Sequence, residues 1–367
     1  MSLVHKYRPT NLSEVIGQKS VVTSLTNAIA LNRLHSAYLL AGTRGTGKTS
    51  AARALAKSLN CDLGLVVKPC NKCHSCKSIE SGNSMNVFEI DCAINNGVDF
   101  ARDLMSKSGF MPMGGRYKVY ILDEAHNLTK QANESLLKTI EEPGAATIFL
   151  LLTTEPQKIL KTIESRCQKF TFAQVGEFEI TDHLNGIVNQ ENLTITQDVV
   201  NTIARLCDGI VRDAITLLDQ VSLNPDATVQ DVYALMGKPD TMSLFDLAQA
   251  ISSGNIIAIY TELKTMSKSG IDPLSSLNEL ANFFRNAIVC KQSPTSYPLM
   301  TCDTATFRLA GKWAQAIALD TLVDSQIFLR KAEIDFSSSK NPRLFLEATL
   351  LELMQILKAI PVPAHQN

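Results

Sequence analysis

Apolar residues along this chain follow two rhythms, and the change from one to the other divides it. Up to about residue 172, short apolar runs alternate with stretches in which apolar residues return every three or four positions. The runs Ala37-Tyr38-Leu39-Leu40-Ala41, Val87-Phe88-Glu89-Ile90 and Tyr117-Lys118-Val119-Tyr120-Ile121-Leu122 read as strands, as do residues 147 to 152 and Lys169-Phe170-Thr171-Phe172. Helices are expected over residues 19 to about 32, 51 to 59, 98 to about 106 and 129 to 142. In the first of these, Val21, Val22, Leu25, Ile29 and the following Leu34 lie close to one helical face. Such alternation implies an α/β core, a parallel sheet covered by helices on both faces.

From about residue 173 only helical periodicity remains. One helix begins near Val211-Arg212-Asp213-Ala214, with Leu217, Leu218 and Val221 along its apolar face. Gly237-Lys238-Pro239-Asp240 interrupts the pattern as a domain boundary would. Residues 241 to about 357 then read as an all-helical bundle with loops at 252–254, 269–273, 292–298 and 337–342. The expected division is a core over 1–172, a small helical domain over 173–238 and a helical assembly domain over 239–367.

At 367 residues, 45% apolar and 19% charged, the sequence has the composition of a globular protein with room for two or three cores. Its longest apolar runs fall far short of a membrane span, and residues 1–7 lack the apolar centre of a signal peptide, so cytoplasm is the expected compartment. A net charge of −1 means that contact with nucleic acid must come from a local arrangement of groups, not from a basic surface.

The first candidate chemistry joins a strand to a helix: Gly42-Thr43-Arg44-Gly45-Thr46-Gly47-Lys48-Thr49-Ser50, the pattern G-x-x-x-x-G-K-T. Glycines there let successive backbone N–H groups turn around phosphate oxygens, and the helix start adds the positive end of its dipole. Lys48 would reach the β- and γ-phosphates, and the Thr49 hydroxyl would ligate magnesium. The chain is therefore expected to bind a nucleoside triphosphate.

The second is Asp123-Glu124-Ala125-His126, at the carboxyl end of a strand, where parallel sheets bind ligands. Asp123 is the candidate magnesium holder and Glu124 the group that orients and polarises the attacking water. An Asp-Glu pair by itself is also an ordinary solvated turn. Thr153-Thr154-Glu155 closes the fourth strand with hydroxyls placed to meet the water or the γ-phosphate, or simply to make a turn. Arg166, in Ser165-Arg166-Cys167, is a candidate for neutralising transition-state charge. Arg212 reads from the residues alone as a surface arginine.

Of nine cysteines, Cys92, Cys167, Cys207, Cys290 and Cys302 are scattered as small buried residues usually are. Cys61, Cys70, Cys73 and Cys76 instead form a C-x8-C-x2-C-x2-C array that suits a structural zinc site with no open coordination position. Two other readings use part of it: Cys70-Asn71-Lys72-Cys73-His74 matches a haem attachment pattern, and a C-x-x-C pair can be a redox dithiol.

Together these stretches carry a resemblance. Tyr7-Arg8-Pro9, Val15-Ile16-Gly17-Gln18, the glycine loop, the four-cysteine array, Asn95-Asn96-Gly97-Val98-Asp99 and Asp123-Glu124-Ala125-His126 resemble the bacterial DNA polymerase III gamma/tau family. So do residues 137 to 143, Thr153-Thr154-Glu155-Pro156-Gln157-Lys158, Ser165-Arg166-Cys167 and Val211-Arg212-Asp213-Ala214. That family supplies the motors of sliding-clamp loaders and belongs to the AAA+ ATPases. The resemblance is dense from residue 6 to about 220 and thin beyond it.

What the resemblance implies is specific. The fold would be an AAA+ P-loop ATPase core with a zinc loop over residues 61–76, a helical lid and a helical collar. Tyr7, Arg8, Pro9, Val15 and Ile16 would pack around the adenine. Gly42, Gly45, Thr46, Gly47, Lys48, Thr49 and Ser50 would hold the phosphates, with Thr154 as a first sensor and Arg212 as a second. Arg166 would act in trans on ATP held by the adjacent subunit, so that each complete site needs two subunits.

The implied cofactors are ATP, Mg2+ and structural Zn2+. The implied partners are further copies of the chain, delta and delta-prime subunits in a ring-like pentamer, the sliding clamp, primed DNA and the polymerase III core. ATP binding would open the clamp and grip primed DNA, and hydrolysis would release both. Asn95, Asn96 and Gly97 are candidates for contact with DNA phosphates, and Cys92 and Ile94 beside them depart from the family's usual small residues. The chain stops at Asn367, just past the collar, which fits either a short form or a truncation.

Three other functions compete. A DEAH-type helicase would need a second motor domain, which the helical pattern after Gly237 does not provide. A structural loader subunit resembling delta-prime would bind no nucleotide, against which Lys48, Thr49, Asp123 and Glu124 speak. A different AAA+ remodeller, such as a branch-migration motor, is disfavoured by the four thiols.

Overall fold

Five parallel strands organise the first part of the molecule in the computed structural model, which describes residues 2–144, 146–293, 302, 304–336 and 339–358. They are β1 (Ala37–Gly42), β2 (Val87–Asp91), β3 (Lys118–Asp123), β4 (Thr147–Thr153) and β5 (Gln168–Phe172). Their order in the sheet is β2-β3-β4-β1-β5. Successive side chains on a strand point to opposite faces, and both faces are covered. Tyr38, Leu40, Ile121 and Leu150 pack on Ala51, Leu55 and Leu59 of the helix Lys48–Asn60, and on Val21, Leu25 and Ile29 of the helix Lys19–Ala30. Leu39, Tyr120, Leu122 and Phe149 pack the other way, on Leu104 of the helix Val98–Ser108 and on Leu136 and Ile140 of the helix Lys130–Glu141.

Strand order places the candidate site. From β1 the chain crosses towards β2, whereas from β4 it crosses β1 to reach β5. Two adjacent strands whose continuations diverge leave a crevice at their carboxyl ends. Ala41 pairs with Thr153 there, and Asp123 lies opposite Asp91.

Element boundaries depart from the sequence expectations for identifiable reasons. The glycine-loop helix starts at Lys48, ahead of the expected residue 51, so the lysine and threonine belong to its first turn. The helix expected to reach about residue 32 ends at Ala30, because Asn32 turns to a left-handed φ of 50°. β3 begins one residue late: the Asn60 side chain takes the Tyr117 N–H at 3.0 Å and donates to its carbonyl at 2.9 Å, in place of a strand neighbour. The helix before the expected 252–254 loop runs through Ser253, and Gly254, at φ 69°, ends it.

After β5 come the helices Glu177–Glu191, Gln197–Leu206 and Val211–Val221, and the N-terminal segment is tied to them. The Tyr7 hydroxyl donates to Glu191, Lys6 Nζ donates to the same carboxylate at 2.8 Å, and the Leu3 N–H donates to Asp219 at 3.2 Å.

A second compact unit begins at Asp226, so the expected break at 237–240 falls inside it, between the helices Val229–Leu235 and Thr241–Ser253. Its remaining helices are Ile256–Lys268, Pro273–Gln292, Thr304–Ala314, Leu319–Phe336 and Pro342–Lys358. They close on Leu277, Leu280, Phe283, Phe284, Leu329 and Leu350. Trp313 meets Phe284 edge-on at 4.9 Å and donates from its indole N–H to Ser252 at 3.2 Å. Residues 294–298 and 337–338 of the expected loops lie outside the described residues. Among the described residues no helix is long and apolar enough to cross a membrane.

Candidate active site

The glycine loop leaves β1 under steric constraints that glycine alone meets. At Gly42 (φ 156°) a Cβ would stand 2.3 Å from the Phe172 carbonyl oxygen, and at Gly45 (φ 77°) one would stand 2.3 Å from Ile210 Cγ2. No side chain caps the helix that follows, so its first N–H groups remain available to an anion. Lys48 is buried and lies back along the loop, donating at 2.8 Å to both the Gly42 and Thr43 carbonyls. Burial lowers its pKa, while Glu124 and Asp123 pull the other way.

Asp123 ends β3, and its Oδ2 accepts the Thr49 hydroxyl at 3.1 Å. Burial raises its pKa against the hydrogen bonds from the Thr49 hydroxyl and the Glu124 N–H. A carboxylate and a hydroxyl side by side are hard oxygen donors of the kind Mg2+ takes. Glu124 leaves the strand in a left-handed conformation (φ 49°, ψ 47°), which carries its side chain towards the end of β4. There Oε2 accepts the Thr154 hydroxyl at 2.9 Å and the Thr154 N–H at 3.3 Å.

These groups face a cavity of ≈ 940 Å³. Tyr7, Arg8, Pro9, Val15 and Ile16 line it, as do residues 45–50 of the glycine loop, Asp123 and Glu124. Arg212 enters from the first turn of the helix Val211–Val221. Among the residues predicted at the nucleotide, Gly42, Thr154 and Arg166 are not on the lining. Gly42 holds Lys48, and Thr154 holds Glu124 from behind. Arg166 stands apart: its Nε meets Glu141 at 2.6 Å, its Nη1 donates to the Thr162 carbonyl at 2.8 Å, and its side chain is 40% exposed.

Several lining residues escaped the sequence. Arg53 and Glu89 form a two-pronged pair at 2.5 and 2.8 Å on the cavity wall. Glu89 did leave a signal, a lone charge inside an apolar strand run. Burial lowers the Arg8 pKa and the nearby Arg53 and Arg212 lower it further, while Glu89 and Asp123 pull the other way, so three guanidinium groups and two carboxylates meet at this wall. His183, Val211 and Ile215 come from the helices after β5 and carry no local motif.

The four clustered cysteines converge. Cys61 ends the helix Lys48–Asn60, Cys73 caps the helix His74–Glu80 and Cys76 lies within it; all four sulfurs are within 4.8 Å of one another. Tetrahedral zinc with sulfurs at about 2.3 Å sets those sulfurs about 3.8 Å apart. Three sulfurs accept backbone N–H groups: Cys61 from Cys70 at 3.4 Å, Cys70 from Cys73 at 3.3 Å and Cys73 from Cys76 at 3.4 Å. Such bonds favour thiolates, and the N–H groups of Lys72 and Cys73 pull the Cys70 thiol down to about 6, whereas burial pushes the Cys76 thiol up. The donor set is compatible with zinc, whereas the haem and dithiol readings use two sulfurs of the four.

Asn95 folds back on Asp91, its backbone and side-chain N–H groups donating to the Asp91 carbonyl at 3.0 and 3.3 Å. Asn96 accepts the Thr129 N–H at 3.1 Å, and Gly97 precedes the helix Val98–Ser108. Cys92 is buried, and Ile94 is exposed.

Comparison with known proteins matches three stretches to family models. Residues 17–176 match "DNA polymerase III, delta subunit", residues 179–221 "DNA polymerase III clamp loader subunit, ATPase lid domain", and residues 227–366 "DNA polymerase III subunits gamma and tau domain III". DNA polymerase III subunit tau of Bacillus subtilis is 37% identical over 358 residues, which are 96% of this chain and 63% of that protein. The tau subunit of Salmonella typhimurium is 38% identical over 100% of this chain and 57% of its own length. DNA polymerase III subunit gamma of Buchnera aphidicola is 34% identical over 295 residues, 80% of this chain and 81% of that one. The chain thus spans less than two thirds of the tau relatives' length.

Proposed function

This chain belongs to the DNA polymerase III gamma/tau family of AAA+ proteins, and we propose that it is the ATP-hydrolysing motor subunit of a clamp loader. In this role ATP binding opens the sliding clamp and grips primed DNA, and hydrolysis releases both. The observation that carries the reading is the gathering of Lys48, Thr49, Asp123, Glu124 and Arg212 around one cavity whose cationic complement lacks Arg166. In this reading one chain binds the nucleotide and positions the water, and Arg166 of a neighbouring copy triggers hydrolysis.

Tyr7, Arg8, Pro9, Val15 and Ile16 hold the adenine. The glycine-loop N–H groups take the phosphate oxygens, and Lys48 exchanges two loop carbonyls for the β- and γ-phosphates. Bound magnesium, held by Thr49 and Asp123, would neutralise phosphate charge. Glu124 accepts a proton from the attacking water while Thr154 anchors its other oxygen. Arg212 meets the γ-phosphate from the helices Glu177–Glu191, Gln197–Leu206 and Val211–Val221, which serve as a lid. Arg166 reaches the ATP of a neighbouring subunit.

Partners are copies of this chain with delta and delta-prime subunits in a pentamer, joined through the helical unit that begins at Asp226. The clamp, primed DNA and the polymerase III core are engaged by that assembly in the cytoplasm. Asn95, Asn96 and Gly97 are the proposed DNA-phosphate contacts.

Glu124→Gln tests the reading at its chemical step. ATP affinity is expected to stay within about twofold of the parent while turnover falls about 100- to 10,000-fold. A turnover rate within about twofold of the parent would remove Glu124 from the mechanism.

Cys61, Cys70, Cys73 and Cys76 are proposed to hold a structural zinc ion, which would brace the loop they share. Chelation should therefore lower the thermal midpoint more than it weakens nucleotide binding. Metal analysis of the purified protein decides this, since a protein isolated without bound metal refutes the zinc assignment.

A further inference from the structure

His126 lies two residues beyond Glu124, in the single turn Ala125–Asn127, with its side chain 8% exposed. A buried imidazole is costly unless both nitrogens meet partners, and here they face opposite carboxylates. Nδ1 lies 3.1 Å from the Thr153 hydroxyl and 3.4 Å from Glu124 Oε2, while Nε2 lies 3.3 Å from Glu155 Oε1. Glu155 is fixed in turn: Lys158 Nζ donates to it at 2.9 Å, and its own N–H donates to the Thr153 hydroxyl at 3.0 Å. A hydrogen bond from Lys158 keeps the Glu155 carboxyl below the usual carboxylate range, so a negative charge stands behind the ring.

We propose that His126 is a positioning residue for Glu124, an imidazole braced by Glu155 that pins one carboxylate oxygen and leaves the other to orient the attacking water. The inference rests on the reading of Glu124 given above. Oε2 is already committed to Thr154 and faces His126, whereas Oε1 has no partner among the described residues. A carboxylate held at one oxygen can turn only about that anchor. Two-sided support fixes the ring's orientation, and it is the Nδ1–H form, directed between the Thr153 hydroxyl and Glu124 Oε2, that holds the carboxylate. At 3.4 Å the contact with Glu124 is longer than a tight hydrogen bond, as such contacts often are before substrate binds.

The test measures ATP turnover and ATP affinity on the full chain assembled with its partner subunits, clamp and primed DNA. His126→Ala should lower kcat about 10- to 100-fold and leave ATP affinity within about twofold. His126→Asn, which keeps a polar nitrogen near the position of Nδ1, should recover most of that loss. Glu155→Gln should lower kcat severalfold without changing affinity, and it carries the test if the alanine variant fails to fold.

The discriminating result is the cycle with Glu124→Gln: in that background His126→Ala should change turnover by less than about twofold, because it acts only through Glu124. Full additivity, equal losses in kcat and affinity, or no rescue by asparagine would each overturn the positioning role. An inactive Glu124→Gln beside a normal His126→Ala overturns this inference alone. A normal Glu124→Gln overturns the reading of Glu124 beneath it.

Discussion

Lys48→Ala is expected to abolish tight ATP binding. The lysine is buried on the cavity lining, and its ammonium is held by two loop carbonyls at 2.8 Å, which places it at the mouth of the glycine loop. Exchange of those carbonyls for phosphate oxygens replaces neutral acceptors with charged ones. Each such charge-assisted bond contributes about 1.5–3 kcal/mol. Losing two raises the dissociation constant by roughly 100- to 10,000-fold, since each 1.4 kcal/mol is about a factor of ten. Titration with a fluorescent ATP analogue measures this directly, and affinity within about threefold of the parent would exclude Lys48 from phosphate binding. The thermal midpoint should move little, because water can replace the lysine at both carbonyls.

Arg166→Ala is expected to produce the opposite split: intact ATP binding and turnover reduced by about three to five orders of magnitude in the assembled complex. The basis is geometric. Arg166 does not line its own chain's cavity and sits half-exposed against Glu141, so under the proposal it acts on a neighbour's ATP. An exposed pair of that kind contributes at most about 1 kcal/mol, so folding should barely respond to its loss. Turnover equal to the parent in the full assembly would show that the trigger lies elsewhere.

What could be read from the sequence was chemistry whose geometry is local. In the glycine loop, the spacing of Gly42, Gly47, Lys48 and Thr49 itself sets the turn and the helix start, so the motif and the structure carry the same information. The cysteine array behaves alike, because its four sulfurs come from sixteen consecutive residues; Asp123 was legible from the end of its apolar strand, although its partner Thr49 lies on a distant helix. The apolar runs located the five strands to within one or two residues. Their ends were less legible because side chains intervene, as Asn60 does at Tyr117.

The cavity wall was not legible from periodicity at all. Arg8 and Arg212 are brought together from segments some two hundred residues apart, and only family resemblance put both at the nucleotide. Arg53 and Glu89 pair across a helix and a strand with no shared motif. The support behind Glu124 depends on how β3 and β4 end side by side, so the role of His126 emerges only once Thr153, Thr154 and Glu155 are seen next to it. The unit boundary at Pro225, ahead of the glycine-proline break, follows from which helices pack together.

The central claim is that the ATP site is built by one chain and triggered by the next. The most direct test is the steady-state ATPase rate of the isolated chain, compared with the rate after adding partner subunits, clamp and primed DNA. A slow isolated chain, accelerated by orders of magnitude on assembly through a step that Arg166→Ala removes, is the predicted result. Full-rate hydrolysis by the isolated chain, indifferent to subunits, clamp and template, would contradict it.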